Sequence, residues 1–355
     1  MDFATYAKHH RDAVAFAPDF ERADEQVFAA SLNSFRALVS SVGGARNADG
    51  LTLTIKAGFL DKMTPNAFAD FHDGVHYIGM HQALMATIMD LSLYLFTQSA
   101  LLPNIGNAAA EDSPHYAGDD IPGLYLLKMT VAGDVVDPSI DHARVPKDAA
   151  RHITAVYLAM LMARSVWFHE LAHCTNGHVL FLRSLGDSAG VNEVAVPLDL
   201  VGFKNDAKQA HDHRALRHAL ELDADVTALL SLIDVQFEGR ENIPGLLAYD
   251  NAARLDMTLL GAFLMTWLFE EYQRFMDSQH GLTHPDPAIR LHYLASSITA
   301  QRPELQVNVA RALQTLNALS TQLPGLARIA TAGTIPSAID QIELYTTLAP
   351  FRFER

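Results

Sequence analysis

Apolar side chains recur with helical spacing over most of the chain. Two helices are predicted in the first 45 residues, the second over 24–42, where a Gly-Gly pair ends the pattern. The same spacing predicts further core helices over residues 82–102, 149–182, 213–232, 255–277 and 286–299. The tail from Pro303 is also predicted to be helical, with breaks at Pro324 and Pro336.

Strand-like patterns are confined to a few short segments. Residues 51–55 alternate between apolar and polar types and include β-branched side chains, which is typical of a strand. Residues 66–69 and 75–79 flank the pair Asp73-Gly74, a combination that predicts a β-hairpin. A further strand and two loops are predicted over residues 124–131, 103–123 and 184–212, respectively. The fold class is therefore predicted to be α+β, mainly α, with a small β-sheet.

The composition excludes some classes of function. The chain has 355 residues, of which 49% are hydrophobic, so it is long enough to bury a substantial core. It carries 26 Lys and Arg against 41 Asp and Glu, a formal net charge of −15. Because phosphate binding needs clustered basic side chains, this balance argues against a nucleic-acid partner. The single cysteine, Cys174, excludes an intramolecular disulfide and fits a reducing compartment.

Neither export nor membrane insertion is predicted. The N-terminus is charged where a leader peptide needs an apolar stretch. The most apolar stretches are residues 83–102, 153–168 and 257–269. The first two contain or adjoin polar and charged residues, and the third is shorter than the ~20 residues of a membrane-spanning helix. We therefore expect buried core helices, no membrane span and a cytoplasmic location.

The most informative segment is the motif HExxH, which begins at His169 and ends at His173. It follows an apolar stretch and is therefore expected on a buried helix. On such a helix the two imidazoles lie about 40° apart on one face, and Glu170 lies about 60° beyond His173. Two imidazoles on adjacent turns can bind one Zn²⁺, and Glu170 can then reach a water in the open coordination position. The motif predicts one zinc ion per chain.

A third ligand must come from another part of the chain. The metzincin arrangement needs a third His at position 179, which is Val179 here. Glu221 and Asp225 share one face of a predicted helix, so one carboxylate can bind the metal while the other orients a ligand imidazole. His218, three residues before Glu221, is a rival ligand.

Three neighbouring residues are expected to lie outside the site. If the helix continues beyond the motif, His178 lies on its opposite face, about 180° from His169, and is expected to be structural. Cys174 is expected to point away from the metal, about 140° from His169. Asp223 is expected to be a solvated acid.

These motifs together resemble the soluble catalytic core of gluzincin metallopeptidases of the CAAX-prenyl-protease and HtpX type. That family combines HExxHxxxxH, a Glu-x-x-x-Asp helix and a His-Pro-x-x-x-x-Arg turn. The matching positions here are His169 to His178, Glu221 to Asp225, and His284 to Arg290. Residues 66–69, Asn-Ala-Phe-Ala, resemble the family's edge hairpin, and the four elements occur in the family's order. Soluble bacterial proteases of the phage-exclusion Lit type are a related alternative.

The resemblance implies a zincin-type catalytic domain over residues 46–300, in which the small sheet packs on the HExxH helix. Helices over 1–45 would pack on this domain, and 301–355 would form a C-terminal helical extension. The implied site residues are the zinc ligands His169, His173 and Glu221, the general base Glu170, and Asp225 in contact with a ligand.

The resemblance also implies a substrate-binding side of the site. His284 and Arg290 would lie over the cleft, near the developing oxyanion or the substrate backbone. The residues Asn66, Ala67, Phe68 and Ala69 would form an edge strand that binds an extended peptide by strand addition.

The function that follows is a zinc-dependent metalloendopeptidase whose partner is a protein or peptide substrate. Glu170 would take a proton from water and deliver it to the leaving amine. The alternative is a catalytically silent or effector-gated zinc-binding protein with a regulatory or interaction role. Residues 103–123 and 184–212 are long enough to form lids in the effector-gated version.

Overall fold

Helices make up most of the structure. The computed structural model describes residues 1–19, 21, 25–111, 145–186, 191–192, 207–237, 251–275, 285, 287–319 and 341–354. In chain order the helices are α1 (Phe3–His10), α2 (Gln26–Val42), α3 (Gln82–Phe96), α4 (Ala149–Thr175), α5 (His178–Ser184), α6 (Ala207–Phe237), α7 (Asn251–Phe275), α8 (Pro287–Gln301), α9 (Gln306–Leu319) and α10 (Gln341–Leu348). The strands are β1 (Ala15–Phe16), β2 (Ile55–Leu60), β3 (Ala67–His72), β4 (Val75–His81) and β5 (Val191–Asn192). The predicted class, α+β and mainly α, is confirmed.

The strands form one mixed sheet in the order β1-β2-β4-β3-β5. β2 and β4 are parallel, and the other neighbouring pairs are antiparallel. The predicted hairpin is confirmed as β3 and β4, with His72 opposite Val75. Asp73 and Gly74 join the two strands with φ angles of +49° and +78°. Two consecutive positive φ angles are what a two-residue type I′ turn requires, and Asp-Gly supplies them.

The strand predicted over 51–55 was wrong in position. The observed strand, β2, begins at Ile55 and lies between β1 and β4. Its last four residues are all buried, so it carries a continuous apolar run rather than an alternating one. Thr52, inside the alternating segment, forms only an isolated bridge with Arg46. The strand predicted over 124–131 lies outside the described residues.

α4 is the central helix of the core. It packs against α2, α3, α6 and α7 and also against β3 and β4, so helices and sheet surround it. Its sequence is apolar on most sides, as expected for a helix that is buried all round. The Trp167 ring stacks on Phe35 of α2 with ring centroids 5.0 Å apart.

The helix predicted over 149–182 is in fact two helices. α4 ends at Thr175, and Gly177 adopts a left-handed conformation with φ +81° before α5 begins. Asn176 and Gly177 are typical of a helix C-terminus, because glycine enters the left-handed region without the penalty of a side chain. The consequence is that the chain turns back at His178 instead of continuing along the helix axis.

Both termini pack onto this core. Tyr6 of α1 stacks on Tyr77 of the sheet with ring centroids 3.9 Å apart. At the other end, the Phe353 amide donates to the Thr175 carbonyl at the end of α4 over 2.9 Å. The proposed division at residues 45 and 300 stays a prediction.

One helix in the described part of the chain is long and apolar enough to cross a membrane, namely residues 251–269 of α7. Of its most apolar 18-residue window, 78% is buried inside the protein. Such burial is typical of the core helix of a globular protein.

Candidate metal centre

Three buried side chains from α4 and α6 converge at one point. His169 and His173 lie one turn apart on α4, and Glu221 faces them from α6. Their residues are only 4%, 0% and 3% exposed, respectively. The residues predicted as metal ligands are thus brought together.

The ligand atoms of this group lie at short distances from one another. The Nε2 atoms of His169 and His173 are 2.9 Å apart. Glu221 Oε2 lies 3.1 Å from His169 Nε2, and Glu221 Oε1 lies 3.7 Å from His173 Nε2. Ligand atoms on a tetrahedral Zn²⁺ with bonds of about 2.0–2.1 Å are separated by about 3.3 Å. Taken with one ligand atom from each residue, the three atoms lie within 4.8 Å of one another, so the group could hold a metal ion.

The protonation state of His173 also suits metal binding. Its ring is completely buried, and desolvation lowers the pKa of His173 to about 4 even though the neighbouring Glu221 carboxylate raises it. The imidazole is therefore neutral at pH 7, which is the form that offers a lone pair to a metal. One carboxylate and two neutral imidazoles form a donor set suited to a divalent cation.

His169 is held by a buried ion pair. Its Nδ1 lies 2.9 Å from Asp225 Oδ1. Arg290 of α8 binds the same carboxylate in a bidentate manner, with Nε 2.8 Å from Oδ2 and Nη2 2.7 Å from Oδ1. Burial raises the pKa of Asp225, but Arg290 and His169 outweigh it and hold the pKa below its usual value. Asp225 thus stays ionised and orients the His169 imidazole.

Arg290 and His284 were expected over the substrate cleft. Two guanidinium nitrogens of Arg290 are bonded to Asp225, and the residue is 5% exposed, so the structure places it behind His169. A cavity of about 30 Å³, room for about one water, borders His169, Asp225 and Arg290. His284 lies outside the described residues.

His173 is held through a second imidazole. His178, the first residue of α5, places its Nδ1 2.9 Å from His173 Nδ1. The Nε2 of His178 lies 3.0 Å from Asp223 Oδ2. The expectation that His178 lies on the opposite face was wrong, because α4 ends at Thr175, three residues before it. The Asn-Gly pair at 176–177 was the signal that could have predicted this contact.

Asp223 is not the solvated acid that was expected. Its side chain is 10% exposed and also receives hydrogen bonds from Asn176 Nδ2 at 2.7 Å and Arg352 Nη2 at 3.2 Å. Desolvation raises the pKa of Asp223, but the contacts with His178, Arg352 and Asn176 hold it below its usual value. Nothing in the sequence near the motif indicated that Arg352, at the far end of the chain, would reach this carboxylate.

Three other residues considered for the site are Glu170, His218 and Cys174. Glu170 is completely buried on α4, next to His169. His218, the rival ligand, is not part of the group formed by His169, His173 and Glu221. Cys174 is also outside that group, and burial raises the pKa of its thiol well above the usual value.

The segment predicted to be an edge strand is not at the edge. Asn66 is 9% exposed, while Ala67, Phe68 and Ala69 at the start of β3 are 0–1% exposed. β5 pairs with this part of β3 on the side away from β4, with Phe68 opposite Asn192. A peptide could therefore add to β3 at Phe68 and Ala69 only after β5 moves.

Comparison with known proteins gives no match. No protein-family model, no curated protein and no solved structure matches this chain. The likeness to gluzincins thus rests on the motifs and on the buried His-His-Glu group alone.

Proposed function

We propose that this protein is a zinc-dependent metallopeptidase of the gluzincin kind, with His169, His173 and Glu221 as ligands of one zinc ion. The observation that carries the proposal is the convergence of these three side chains from two helices at short distances, with His169 and Glu221 52 residues apart in sequence. The motif likeness to the CAAX-prenyl-protease and HtpX type points to the same ligand set. The substrate would be a protein or peptide.

Zinc, when bound, supplies a Lewis acid that polarises a carbonyl and lowers the pKa of water. Within the chain, Glu170 is the group that takes the proton from the attacking water and returns it to the leaving amine. Asp225 fixes the ring of His169 and keeps its Nδ1 protonated, and Arg290 positions Asp225. His284 is retained as a candidate on the substrate side.

The test compares metal content and hydrolysis in the same set of variants. Glu170→Gln should keep zinc at wild-type stoichiometry and lose cleavage of a proteome-derived peptide library by orders of magnitude, because the base is removed while the ligands stay. Glu221→Ala should lose zinc as well as cleavage, since one of three ligands is gone.

His218→Ala is the matched control, because His218 lies on the same helix but outside the ligand group. It should retain both zinc and cleavage. Near-normal cleavage by Glu170→Gln would remove Glu170 from the mechanism. Full zinc retention by Glu221→Ala would contradict the proposed ligand set.

One observation favours the alternative function, a catalytically silent or effector-gated zinc-binding regulatory protein. The ligand residues and Glu170 are all between 0% and 4% exposed, and a peptide bond needs access to them. A gated site has to open before a substrate enters, whereas a structural site stays closed. A wild-type protein that binds one zinc but cleaves no peptide in the library screen would support this alternative.

A further inference from the structure

We propose that the C-terminal segment, residues 349–354, positions the metal ligand His173 through a chain of contacts that begins at Arg352. The chain runs from Arg352 to Asp223, from Asp223 to His178, and from His178 to His173. Arg352 is then a positioning residue, some 180 positions from the ligand that it serves. The inference rests on the proposed metal site and assigns a role to a part of the chain that the motifs do not cover.

The hydrogen bonds that link Arg352, Asp223, His178 and His173 can be arranged in only one way when a metal is bound. Nε2 of His173 faces the other ligand atoms and must offer its lone pair, so the ring proton is on Nδ1. That proton is donated to Nδ1 of His178, which leaves the proton of His178 on Nε2. Nε2 of His178 then donates to Asp223 Oδ2. Asp223 thereby selects, through one intermediate ring, the tautomer that His173 needs.

Asp223 needs support of its own to hold this orientation. In the described part of the structure its Oδ2 accepts from three donors: His178 Nε2 at 3.0 Å, Asn176 Nδ2 at 2.7 Å and Arg352 Nη2 at 3.2 Å. Among these donors Arg352 is the side chain that carries a permanent positive charge. It therefore supplies the charge that balances the carboxylate at the end of the chain.

The C-terminal segment is itself fixed to the core directly after Arg352. The amide of Phe353 donates to the Thr175 carbonyl, the last residue of α4, over 2.9 Å. Glu354 and Arg46 exchange two backbone hydrogen bonds of 2.9 Å each. The guanidinium carbon of Arg352 lies 4.0 Å from the centre of the Tyr345 ring. The segment thus ties Arg352 to the end of the same helix that carries His173.

The expected effect of removing Arg352 is moderate. Loss of a residue that bonds directly to a ligand imidazole lowers metal affinity about tenfold to a hundredfold. Arg352 acts two contacts further away, and its side chain is 19% exposed, so water partly replaces it. We expect Arg352→Gln to weaken zinc binding about threefold to tenfold, below the range for direct partners.

The protein offers a matched control for Arg352→Gln. Arg302 also forms an ion pair with an aspartate of α6, Asp234, with Nη1 and Oδ1 2.8 Å apart. This pair is more exposed, and the ion pairs of Arg302 among the described residues, with Asp234 and Glu304, involve none of the side chains between Arg352 and His173. The dissociation constant for Zn²⁺ is measured for the full-length wild type, Arg352→Gln and Arg302→Gln by competition with a chromophoric chelator.

Arg302→Gln should bind zinc as the wild type does, and Arg352→Lys should recover part of the loss because it keeps the charge. The visible absorption of the Co²⁺-substituted protein should shift in Arg352→Gln and not in Arg302→Gln, since it reports ligand geometry rather than stability. Equal zinc affinity and an unchanged Co²⁺ spectrum in Arg352→Gln would overturn the proposal.

A double-mutant cycle tests whether Arg352 acts through His178. In His178→Asn the amide oxygen can still accept from His173, but the connection to Asp223 is lost. Arg352→Gln should then have little further effect on zinc affinity, because coupled residues are not additive. If Arg352→Gln lowered zinc affinity by the same factor in the wild type and in His178→Asn, the variant would act by general destabilisation, and the proposed chain of contacts would be contradicted. A wild type that binds no zinc would refute the proposed function itself, an outcome distinct from either result.

Discussion

The two candidate imidazole ligands stand side by side but are supported in different ways. His169 rests directly on a carboxylate, Asp225, which Arg290 holds with two hydrogen bonds. His173 reaches its carboxylate, Asp223, only through a second imidazole. The first support consists of side chains that are 5–9% exposed, whereas the second ends on a side chain that is 19% exposed.

From this difference we can predict how each support responds to a substitution. A buried, bidentate ion pair is intolerant of the loss of one partner, because the other charge stays desolvated. A longer chain with a more exposed end can replace a lost contact with water. We therefore expect substitutions behind His169 to act mainly on folding, and substitutions behind His173 to act mainly on metal affinity.

The largest effect is expected from breaking the buried pair behind His169. Arg290→Met should lower the free energy of unfolding by about 3–5 kcal/mol, because Asp225 keeps a buried and uncompensated charge. Urea denaturation of the metal-free protein measures this directly. The control is Arg311→Met, whose ion pair with Asp256 is 46% and 28% exposed, and which should lose no more than about 1 kcal/mol.

A second variant sharpens the interpretation of that result. Replacing both partners, Arg290→Met with Asp225→Leu, should restore part of the lost stability, because no isolated charge remains. It should not restore zinc affinity, since His169 has lost its carboxylate. Equal losses in Arg290→Met and Arg311→Met would show that the pair behind His169 is no more critical than a surface pair.

The next effect concerns the turn that brings His178 back to His173. Gly177→Ala should lower the free energy of unfolding by about 2–4 kcal/mol, from the left-handed backbone and from overpacking together. A Cβ at this position would lie 2.5 Å from the Phe351 carbonyl carbon. Zinc affinity should fall too, because the start of α5 has to shift.

Gly186 provides the control for this substitution. It has a similar φ of +86°, but a Cβ there would meet no atom of the described residues within 4 Å. Gly186→Ala should therefore lose only the conformational contribution, about 1–2 kcal/mol, and should keep zinc affinity. If the two alanine variants unfold at the same urea concentration and bind zinc equally well, the turn does not position His178.

The contrast between the two supports also shows what the sequence could predict. Part of the support behind His169 follows from spacing. Glu221 and Asp225 are four residues apart on one helix face, so one carboxylate could be expected to bind the metal and the other to orient an imidazole. The place of Arg290 behind Asp225 did not follow from spacing, because it depends on packing between distant helices. The ligand pair at 169 and 173 follows from the same geometry, and the hairpin follows from its Asp-Gly turn. Local rules are sufficient wherever the interacting residues belong to one helix or one turn.

The features that were missed depend on contacts between distant segments. The role of His178 required recognising that the helix ends at Thr175 instead of continuing. β5 covers the strand expected at the edge, and its pairing joins residues more than 120 positions apart. The contact of Arg352 with Asp223 spans 129 positions and has no local sequence signal. Tertiary packing, rather than periodicity, decides all three.

The smallest expected effect is a dependence of stability on pH, which should distinguish the support behind His173 from the one behind His169. Phe353, next to Arg352, packs edge-on against the His76 ring with centroids 5.5 Å apart. Burial lowers the pKa of His76 from 6.5 to about 3, so the folded protein keeps the ring neutral at pH values where the unfolded chain binds a proton. Because the unfolded state then binds more protons, stability falls as pH decreases below about 6.5.

Between pH 7 and pH 5 this linkage amounts to about 1–2 kcal/mol. His76→Phe removes the titrating ring and should make the free energy of unfolding less dependent on pH across this window. Some dependence should persist, since burial also lowers the pKa of His81, to about 4.

Hydrogen exchange at the Phe353 amide should speed up between pH 7 and pH 5, relative to the intrinsic rate, more in the wild type than in His76→Phe. An identical pH profile for the two proteins would remove His76 from the anchoring of the C-terminal segment, and the support behind His173 would then be no more sensitive to acid than the one behind His169.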